Sequence, residues 1–183
     1  MIPDLTYRLA QLPRKSFVTQ WLAVYTRPRH EKKIYAQLQK QKIRAYLPLH
    51  TTIRNWSDRK KKISLPLFSC YLFVNITLKD YIKVLNIPGV IRYVTFEGKA
   101  VPIPERQIQL IKNILAFNEE TTEISLPKTI GTKVEVIKGP LIGTSGELTE
   151  FAGKKRVIIR IEEIGKCIMV NIPLQYLRSV AEN

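Results

Sequence analysis

The sequence has few residues of the kinds that covalent or metal-dependent chemistry requires. Its 183 residues include two cysteines and two histidines, and Cys70 and Cys167 lie far apart in the chain. These numbers and spacings do not form a metal-binding pattern, and isolated cysteines are most often small buried residues in a reducing compartment. No Ser/His/Asp set or phosphate-binding loop is present either. The sequence therefore predicts a protein that is not an enzyme and has no cofactor.

Long apolar segments are also missing. No run of about 18 apolar residues occurs, which excludes an ordinary transmembrane helix. Residues 1–19 lack the apolar core of a secretion signal, and their composition indicates a flexible lead-in. We therefore expect a cytoplasmic protein without membrane contact. We also expect it to be a monomer.

Acidic residues are half as common as basic ones, and the imbalance is confined to one part of the chain. Residues 1–117 contain 21 Lys or Arg and 6 Asp or Glu, whereas residues 118–183 contain 9 of each. The whole net charge of +15 therefore belongs to the first part. This asymmetry predicts two domains with different partners, the first facing a polyanion or an acidic surface. A charge excess that only aids solubility is the alternative.

The first part alternates strand and helix patterns. Trp21–Tyr25 and Cys70–Ile76 are apolar, β-rich runs, and residues 51–68 look like two strands joined by a turn at Ser57–Asp58. A basic helix follows Pro28, and a second long helix is expected from Glu105 to about Phe117. Strands mixed with helices and hairpins predict an α+β sandwich, with an antiparallel sheet flanked by helices.

The second part has a different character. Residues 118–130 are polar and acidic and are expected to form a linker between a domain at 20–117 and a domain at 131–183. Residues 131–180 contain six glycines and period-two runs of Val and Ile. Four or five short strands in roughly 50 residues predict a small SH3-like β-barrel.

The start of the second part carries a glycine-rich motif. Its two valines point the same way from one strand, and its glycines supply turns and close backbone approach. A phosphate-cradling loop is the competing interpretation, but no Lys-Ser/Thr follows the glycines and no helix is expected after them. The pattern resembles the KOW motif of NusG-type factors and some ribosomal proteins. The residues that match are Gly131, Val134, Val136, Gly139, Pro140, Gly143 and Gly146.

Residues 20–117 resemble the amino-terminal (NGN) domain of the NusG family of transcription factors. The resemblance rests on Trp21–Tyr25, Pro66–Val74, Pro88–Val90 and Val101–Pro104. It is nearest to specialised antiterminators of the UpxY and RfaH type. The chain departs from the family at Ser69–Cys70, where Pro-Gly or Pro-Asn is usual, and this predicts an altered turn beside Phe68.

The resemblance implies a transcription elongation or antitermination factor that suppresses pausing or termination. In the family, the amino-terminal domain docks a hydrophobic depression on the clamp helices of the largest RNA polymerase subunit. Aromatic side chains suit such an interface, although the same residues could form core. The residues expected to bind polymerase are Tyr25, Phe68, Tyr71, Phe73 and Phe96.

Two basic clusters are expected to meet non-template DNA in the transcription bubble. One lies at the start of the first helix and the other on the predicted hairpin, and either could instead be a solvated surface. His30 is either a solvated helix-end residue or a base reader. The predicted nucleic-acid-binding residues are Arg27, Arg29, His30, Lys32, Lys33, Arg54, Arg59, Lys60, Lys61 and Lys62.

The same architecture serves several functions. We favour the interpretation that the protein is a specialised antiterminator of surface-polysaccharide operons, because the first domain is strongly basic and the lead-in, residues 1–19, is long. A general housekeeping NusG factor and a KOW protein bound to ribosomal RNA are the alternatives. The resemblance implies that the barrel recruits a ribosomal protein or a termination factor. Its Val/Ile-rich runs favour strands, so we expect a barrel in the free protein.

Overall fold

The structure is a computed structural model that describes residues 18–55, 60–117, 122–124, 131–151 and 154–180. Strands and helices alternate in the first part and strands dominate the second, which confirms the α+β class. The α-helices are α1 (Glu31–Lys40), α2 (Tyr81–Leu85) and α3 (Glu105–Phe117). The strands of the first part are β1 (Gln20–Thr26), β2 (Arg44–Tyr46), β3 (Leu49–Asn55), β4 (Lys60–Pro66), β5 (Tyr71–Ile76), β6 (Val90–Tyr93), β7 (Thr95–Phe96), β8 (Lys99–Ala100) and β9 (Pro102–Ile103). Those of the second are β10 (Thr122–Ile124), β11 (Thr132–Val136), β12 (Ser145–Phe151), β13 (Lys154–Ile161), β14 (Lys166–Val170) and β15 (Leu177–Ser179).

Backbone proximity divides the chain into two compact units. The first unit comprises residues up to 47 together with 69–104, and the second comprises 48–68 together with 105 onward. The β3–β4 hairpin and helix α3 therefore group with the barrel by this criterion. The expected domains, 20–117 and 131–183, stay a prediction.

The first unit is built on an antiparallel sheet with the strand order β2-β5-β1-β6, and β9 also pairs with β1. Strands β1 and β5 run side by side over six residue pairs, from Gln20 opposite Ile76 to Tyr25 opposite Tyr71. One face of the sheet packs against α1 and α2, because Ile34 and Leu38 lie one helical turn apart on the buried side of α1. Strands β1 and β5 are buried at almost every position, so side chains on both faces of these strands are covered, and both strands are almost continuously apolar.

The two apolar runs predicted as strands in the first unit are present. Strand β1 extends the predicted run Trp21–Tyr25 by one residue at each end, and β5 starts one residue later than expected. A turn at Glu97–Gly98 joins β7 to β8, and both of its residues have positive φ, +49° and +76°. That geometry matches the tight turns preferred in two-residue hairpins.

The hairpin and the long helix of the second unit were also predicted. Strands β3 and β4 pair in register from Leu49 opposite Pro66 to Asn55 opposite Lys60, and the turn predicted at Ser57–Asp58 lies outside the described residues. Helix α3 has the predicted bounds. Its buried side chains are Ile108, Ile111 and Ile114, and Leu115 is half-buried.

The barrel sheet has the strand order β10-β14-β13-β12-β11-β15, with every pair antiparallel. The predicted barrel over 131–180 is thus confirmed as strands β11 to β15. Strand β10 was not predicted: Thr122–Ile124, within the expected linker, pairs with Cys167–Met169 of β14. Its three residues lie in a polar segment without alternation, which gives no strand signal.

Two glycines let neighbouring strands approach closely in the barrel. A Cβ added to Gly131 would overlap the carbonyl oxygen of Leu148. A Cβ on Gly146 would lie 2.6 Å from Val157 Cγ1 and 2.8 Å from the carbonyl oxygen of Ile158. Any larger residue therefore requires a shift of the backbone at these positions.

We expect Gly131→Ala to lower the unfolding free energy of the barrel by about 3 kcal/mol or more, since the methyl group overlaps a backbone atom. The control is Gly165→Ala, because Gly165 has φ +60° but faces open space, so only the backbone cost of about 1–2 kcal/mol applies. Differential scanning calorimetry of the full chain measures both. Equal losses in the two variants would contradict the close approach at Gly131.

Candidate functional site

A pair of tyrosines lies at one end of the sheet in the first unit. Tyr25 of β1 is directly opposite Tyr71 of β5, and the two rings meet edge to face with centroids 5.2 Å apart. On the other side of β1, the Arg92 guanidinium lies 5.6 Å from the centroid of the Tyr25 ring. Both tyrosines are half-buried. The pair therefore combines a fixed geometry with ring surface that a partner can reach.

The other predicted polymerase-binding aromatics differ in exposure. Phe68 and Phe73 have no exposed surface, whereas Phe96, on the β7–β8 hairpin, is 70% exposed. Phe73 stacks on Tyr46 with ring centroids 6.2 Å apart, and burial raises the pKa of Tyr46 well above its usual range. The chain surface therefore presents Tyr25, Tyr71 and Phe96. Phe68 and Phe73, both predicted to bind polymerase, are interior residues instead, because neither side chain has exposed surface.

A turn before Tyr71 is tied to the start of α1. The Cys70 backbone N–H donates a hydrogen bond of 2.8 Å to Glu31 Oε1, and the Thr26 N–H donates one of 2.9 Å to the Cys70 carbonyl oxygen. Glu31 is only 5% exposed and lies in the first turn of α1, where the helix dipole favours a negative charge. Two hydrogen bonds thus fix the position from which Tyr71 enters the sheet.

The departure from the family pattern at Ser69–Cys70 leaves this turn in a left-handed conformation. Cys70 has φ +67°, a region that glycine adopts freely and asparagine often adopts. The backbone bend is therefore one that the usual residues favour, and Cys70 adopts it at a conformational cost. Phe68 remains fully buried two residues earlier.

We expect Cys70→Gly to raise the unfolding free energy by roughly 1 kcal/mol, because glycine relieves the left-handed backbone. The backbone N–H and carbonyl of residue 70 stay in place, so both hydrogen bonds survive. Thermal unfolding of Cys70→Gly and Cys70→Ala gives the comparison, since alanine keeps the cost. Lower stability of the glycine variant would contradict this account of the turn.

A cationic segment follows Tyr25 directly. Arg27, Arg29, Lys32 and Lys33 are all exposed, and His30 is half-buried. Three backbone contacts hold the segment. The Arg27 N–H donates to the Gly89 carbonyl oxygen at 2.8 Å and the His30 N–H to the Arg27 carbonyl oxygen at 3.2 Å. The third is the Thr26 bond already described, so these cations project from an ordered stretch of chain.

The surroundings of His30 favour a structural role at the start of α1. Its ring Nδ1 lies 3.1 Å from the Pro28 carbonyl oxygen, and its side chain packs where a Cβ on Gly89 would make contacts of 3.1 to 3.3 Å. These local contacts leave the neighbouring arginines and lysines as the accessible cations of the segment.

The structure describes only some of the basic residues of the β3–β4 hairpin. Arg54 lies opposite Lys61 in the β3–β4 register, and Lys62, opposite Ile53, is exposed. Lys60 is opposite Asn55, next to the end of the described strand. Arg59 lies outside the described residues, as do the side chains of Arg54, Lys60 and Lys61. The predicted basic hairpin therefore exists as a pair of strands, and its nucleic-acid contacts stay a prediction.

The glycine-rich motif builds the barrel. Val134 and Val136 are buried, at 2% and 1% exposure, on the same side of β11. Gly139 and Gly143 have φ +84° and +78°, and Pro140 is exposed between them. Gly131 and Gly146 permit the close strand approach described above. Among the described residues after these glycines there is no α-helix, and a phosphate-binding loop requires one directly after it, which argues against the competing phosphate-loop interpretation.

Two residues of this site, Arg92 and Glu31, are not among those predicted from the sequence. Arg92 borders Tyr25, and strand alternation could have shown it, because Arg92 must face away from the buried Tyr93. Glu31 is the one acid in a strongly basic helix, and that contrast was the available signal. Its hydrogen-bond partner, 39 residues away, was not deducible from spacing.

No described helix is long and apolar enough to span a membrane. Over the same ranges, no three His, Cys, Asp or Glu side chains come together as a metal site would need.

Comparison with known proteins gives consistent results. The family profile "NusG: Transcription termination factor nusG" matches residues 19–112. The chain is 26% identical over 167 residues to "Transcription termination/antitermination protein NusG" of Rickettsia felis, covering 85% of this chain and 87% of that one. The solved structure "Domain interaction in Thermotoga maritima NusG" shares its fold, with a TM-score of 0.60 at 20% identity, over 91% of this chain and 99% of that one.

This α+β chain with two compact units matches a profile of transcription factors, a class of proteins that are not enzymes. The profile match covers more than half of the chain and includes the tyrosine pair and the cationic segment. The chain belongs to the NusG family of transcription termination and antitermination factors.

Proposed function

We propose that this protein is an elongation factor that binds the clamp helices of RNA polymerase through Tyr25 and Tyr71 and suppresses pausing or termination. The observation that carries the proposal is the edge-to-face tyrosine pair, half-buried and bordered by Arg92. Aromatic rings with few rotatable bonds bury a large area at a low entropic cost, so they are common at the centres of interfaces. Phe96, with 70% of its surface exposed, extends the proposed contact.

The turn at Cys70 prepares this surface for binding. Because two backbone hydrogen bonds hold the turn against β1 and α1, Tyr71 does not have to be ordered when a partner arrives. Less entropy is then lost on association. Binding favours the polymerase conformation that the factor fits best, so the factor shifts the population toward processive elongation.

The cationic segment serves as the DNA contact in this proposal. Arg27, Arg29, Lys32 and Lys33 are exposed beside the tyrosine pair, where a strand that leaves the polymerase cleft would pass. Arginine pairs with phosphate and also stacks on an unpaired base, which suits exposed non-template DNA. Arg54 and Lys60 to Lys62 on the hairpin, with Arg59, add a second contact.

The finer assignments extend the same proposal. The amino-terminal domain spans 20–117, 118–130 links it to the barrel, and the barrel at 131–183 recruits a ribosomal protein or a termination factor in the cytoplasm. The specialised antiterminator is favoured over the general factor because all of the net charge lies in residues 1–117. Surface-polysaccharide operons are the proposed targets. A role in binding ribosomal RNA through the barrel is disfavoured, since residues 118–183 carry no net charge.

We expect Tyr71→Ala to weaken polymerase binding by roughly thirtyfold, the effect of losing a buried aromatic anchor. Tyr71→Phe keeps the ring and is expected to bind nearly as well as the wild type. Pull-down and titration with purified polymerase, and with a fragment that carries the clamp helices, measure the difference.

Tyr35→Ala is the matched control, since Tyr35 is also a half-buried tyrosine but packs against the core from α1. Equal binding of wild type and Tyr71→Ala would refute the proposed interface. Transcription past a terminator in vitro then tests the direction of the effect. Increased read-through supports antitermination, whereas increased termination favours the general factor.

We expect Arg29→Gly to weaken binding to single-stranded DNA and to reduce the slope of log affinity against log salt by about 0.7, the contribution of one phosphate contact to a single strand. Arg29 has φ +64°, so glycine relieves the backbone and the variant keeps its fold. Fluorescence anisotropy with an oligodeoxythymidylate at several salt concentrations measures the slope. Lys40→Gln, at the far end of α1, is the control, and an unchanged slope in Arg29→Gly would count against this surface.

A further inference from the structure

One edge of the barrel sheet is closed by a short segment of the predicted linker. Strand β14 pairs with β13 along all five of its residues, and its other side pairs with β10. Strand β10 has three residues and lies opposite Cys167 to Met169. The strand order ends at β10, so β14 would be an edge strand without it. The closure of this edge, the β14 edge, therefore depends on β10.

The β14 edge is apolar on both of its faces. Successive residues of a strand face opposite sides, so Cys167 and Met169 share one face and Ile168 lies on the other. Cys167 and Ile168 have no exposed surface, and Met169 is 6% exposed. In β13, Ile158 lies opposite Met169 and Ile159 opposite Ile168, and both are buried. A strand that pairs with β14 therefore meets apolar neighbours on either face.

Strand β10 matches this edge poorly. In the register Glu123 lies directly opposite Ile168, which has no exposed surface. Residues directly opposite each other in an antiparallel pair are close neighbours, and the stabilising pairs join apolar residues or opposite charges. Glutamate is also one of the residues that are depleted in strands. With three residues and an acid at its centre, β10 holds the β14 edge more weakly than a longer apolar strand would.

We propose that β10 masks a docking edge, and that an extended apolar segment of a partner protein displaces β10 and pairs with β14. Strand addition of this kind takes its affinity from main-chain hydrogen bonds and its specificity from alternate side chains. A run of five apolar, β-branched residues would pair with the whole of β14, whereas β10 covers three of its five residues. The inference rests on the proposed recruiting role of the barrel, and it involves neither Tyr25 nor Tyr71.

The charge of the chain favours a partner protein over a second copy as the occupant. Two copies repel each other, because each has a net charge of +15. Residues 118–183, which contain both β10 and β14, carry no net charge, so the β14 edge selects for apolar residues. An open apolar edge also tends to pair with other chains, and β10 keeps this edge covered until the partner binds.

A single substitution can lock β10 in place. Ile124 lies directly opposite Cys167 in the register. Opposed residues of an antiparallel pair have Cα atoms about 4.5–5.5 Å apart, within the range that a disulfide spans. Ile124→Cys, in a Cys70→Ala background that removes the other cysteine, therefore places two thiols within bonding distance. Oxidised glutathione joins them and dithiothreitol separates them, so the variant is its own matched control.

The test is fluorescence anisotropy of the full-length chain with a fluorescein-labelled peptide, Lys-Thr-Val-Ile-Val-Thr-Lys, which carries a short apolar run. We expect saturable binding to the wild type and to the reduced variant, and roughly tenfold weaker binding to the oxidised variant, in which β10 cannot leave. The control probe has proline at the central position, because proline has no N–H to donate to β14. Mass spectrometry checks that the disulfide has formed.

Glu123→Val tests the poor match of β10 without a disulfide. Valine is favoured in strands and pairs well with an apolar neighbour such as Ile168, so we expect β10 to hold the β14 edge more firmly. Peptide binding should then weaken by roughly threefold, the effect of one favourable cross-strand pair. Glu119→Val is the matched control, since it also replaces an acid of the predicted linker but lies outside β10.

Each remaining outcome would overturn a particular step. Equal affinity of the oxidised and reduced forms would refute masking by β10, and thiols that do not join would refute the pairing of Ile124 with Cys167. No saturable binding to the reduced chain, or equally tight binding of the proline peptide, would refute strand addition. Dimers that disappear on oxidation, measured by analytical ultracentrifugation, would identify a second copy as the occupant. The polymerase pull-down with Tyr71→Ala tests the proposed function separately, so failure of either one leaves the other intact.

Discussion

The hydrogen bond from the Cys70 N–H to the Glu31 carboxylate is the contact on which the proposed binding surface depends. It joins the turn before β5 to the first turn of α1, across 39 residues of sequence. Tyr71 follows the turn, and the cationic segment from Arg27 to Lys33 contains Glu31 itself. One buried acid therefore aligns an aromatic pair and a row of cations, which the proposed function needs on the same side of the molecule.

The fold could be predicted because its main signals are local. Trp21–Tyr25 and Cys70–Ile76 are apolar β-rich runs, α3 has a clear helical period, and the barrel has alternating Val and Ile. The exposure of residues that share a face was harder to predict. Tyr71 and Phe73 lie two residues apart in β5 and share a face, but both faces of the sheet are covered. Alternation therefore does not distinguish a buried ring from an exposed one.

Other parts of the site arise from contacts between distant segments. The Cys70 N–H and the Glu31 carboxylate that accepts its hydrogen bond are 39 residues apart in the sequence, and neither segment has a binding motif of its own. The positive φ of Cys70 was equally hidden, since a cysteine gives no signal for a left-handed turn. Strand β10 depends on its partner β14 for its hydrogen bonds, and its three residues are too few to show an alternating pattern within a polar segment.

Three surface features of the first unit share an unusual backbone. Arg29, Lys42 and Cys70 all occupy the left-handed region, which costs an L-residue about 1–2 kcal/mol relative to glycine. Each keeps a side chain where glycine would be more stable, as residues in strained positions at functional sites often do. Directed evolution for heat resistance alone would therefore drive these positions toward glycine. The resulting protein would tolerate higher temperatures while losing a cation from each of two separate surfaces.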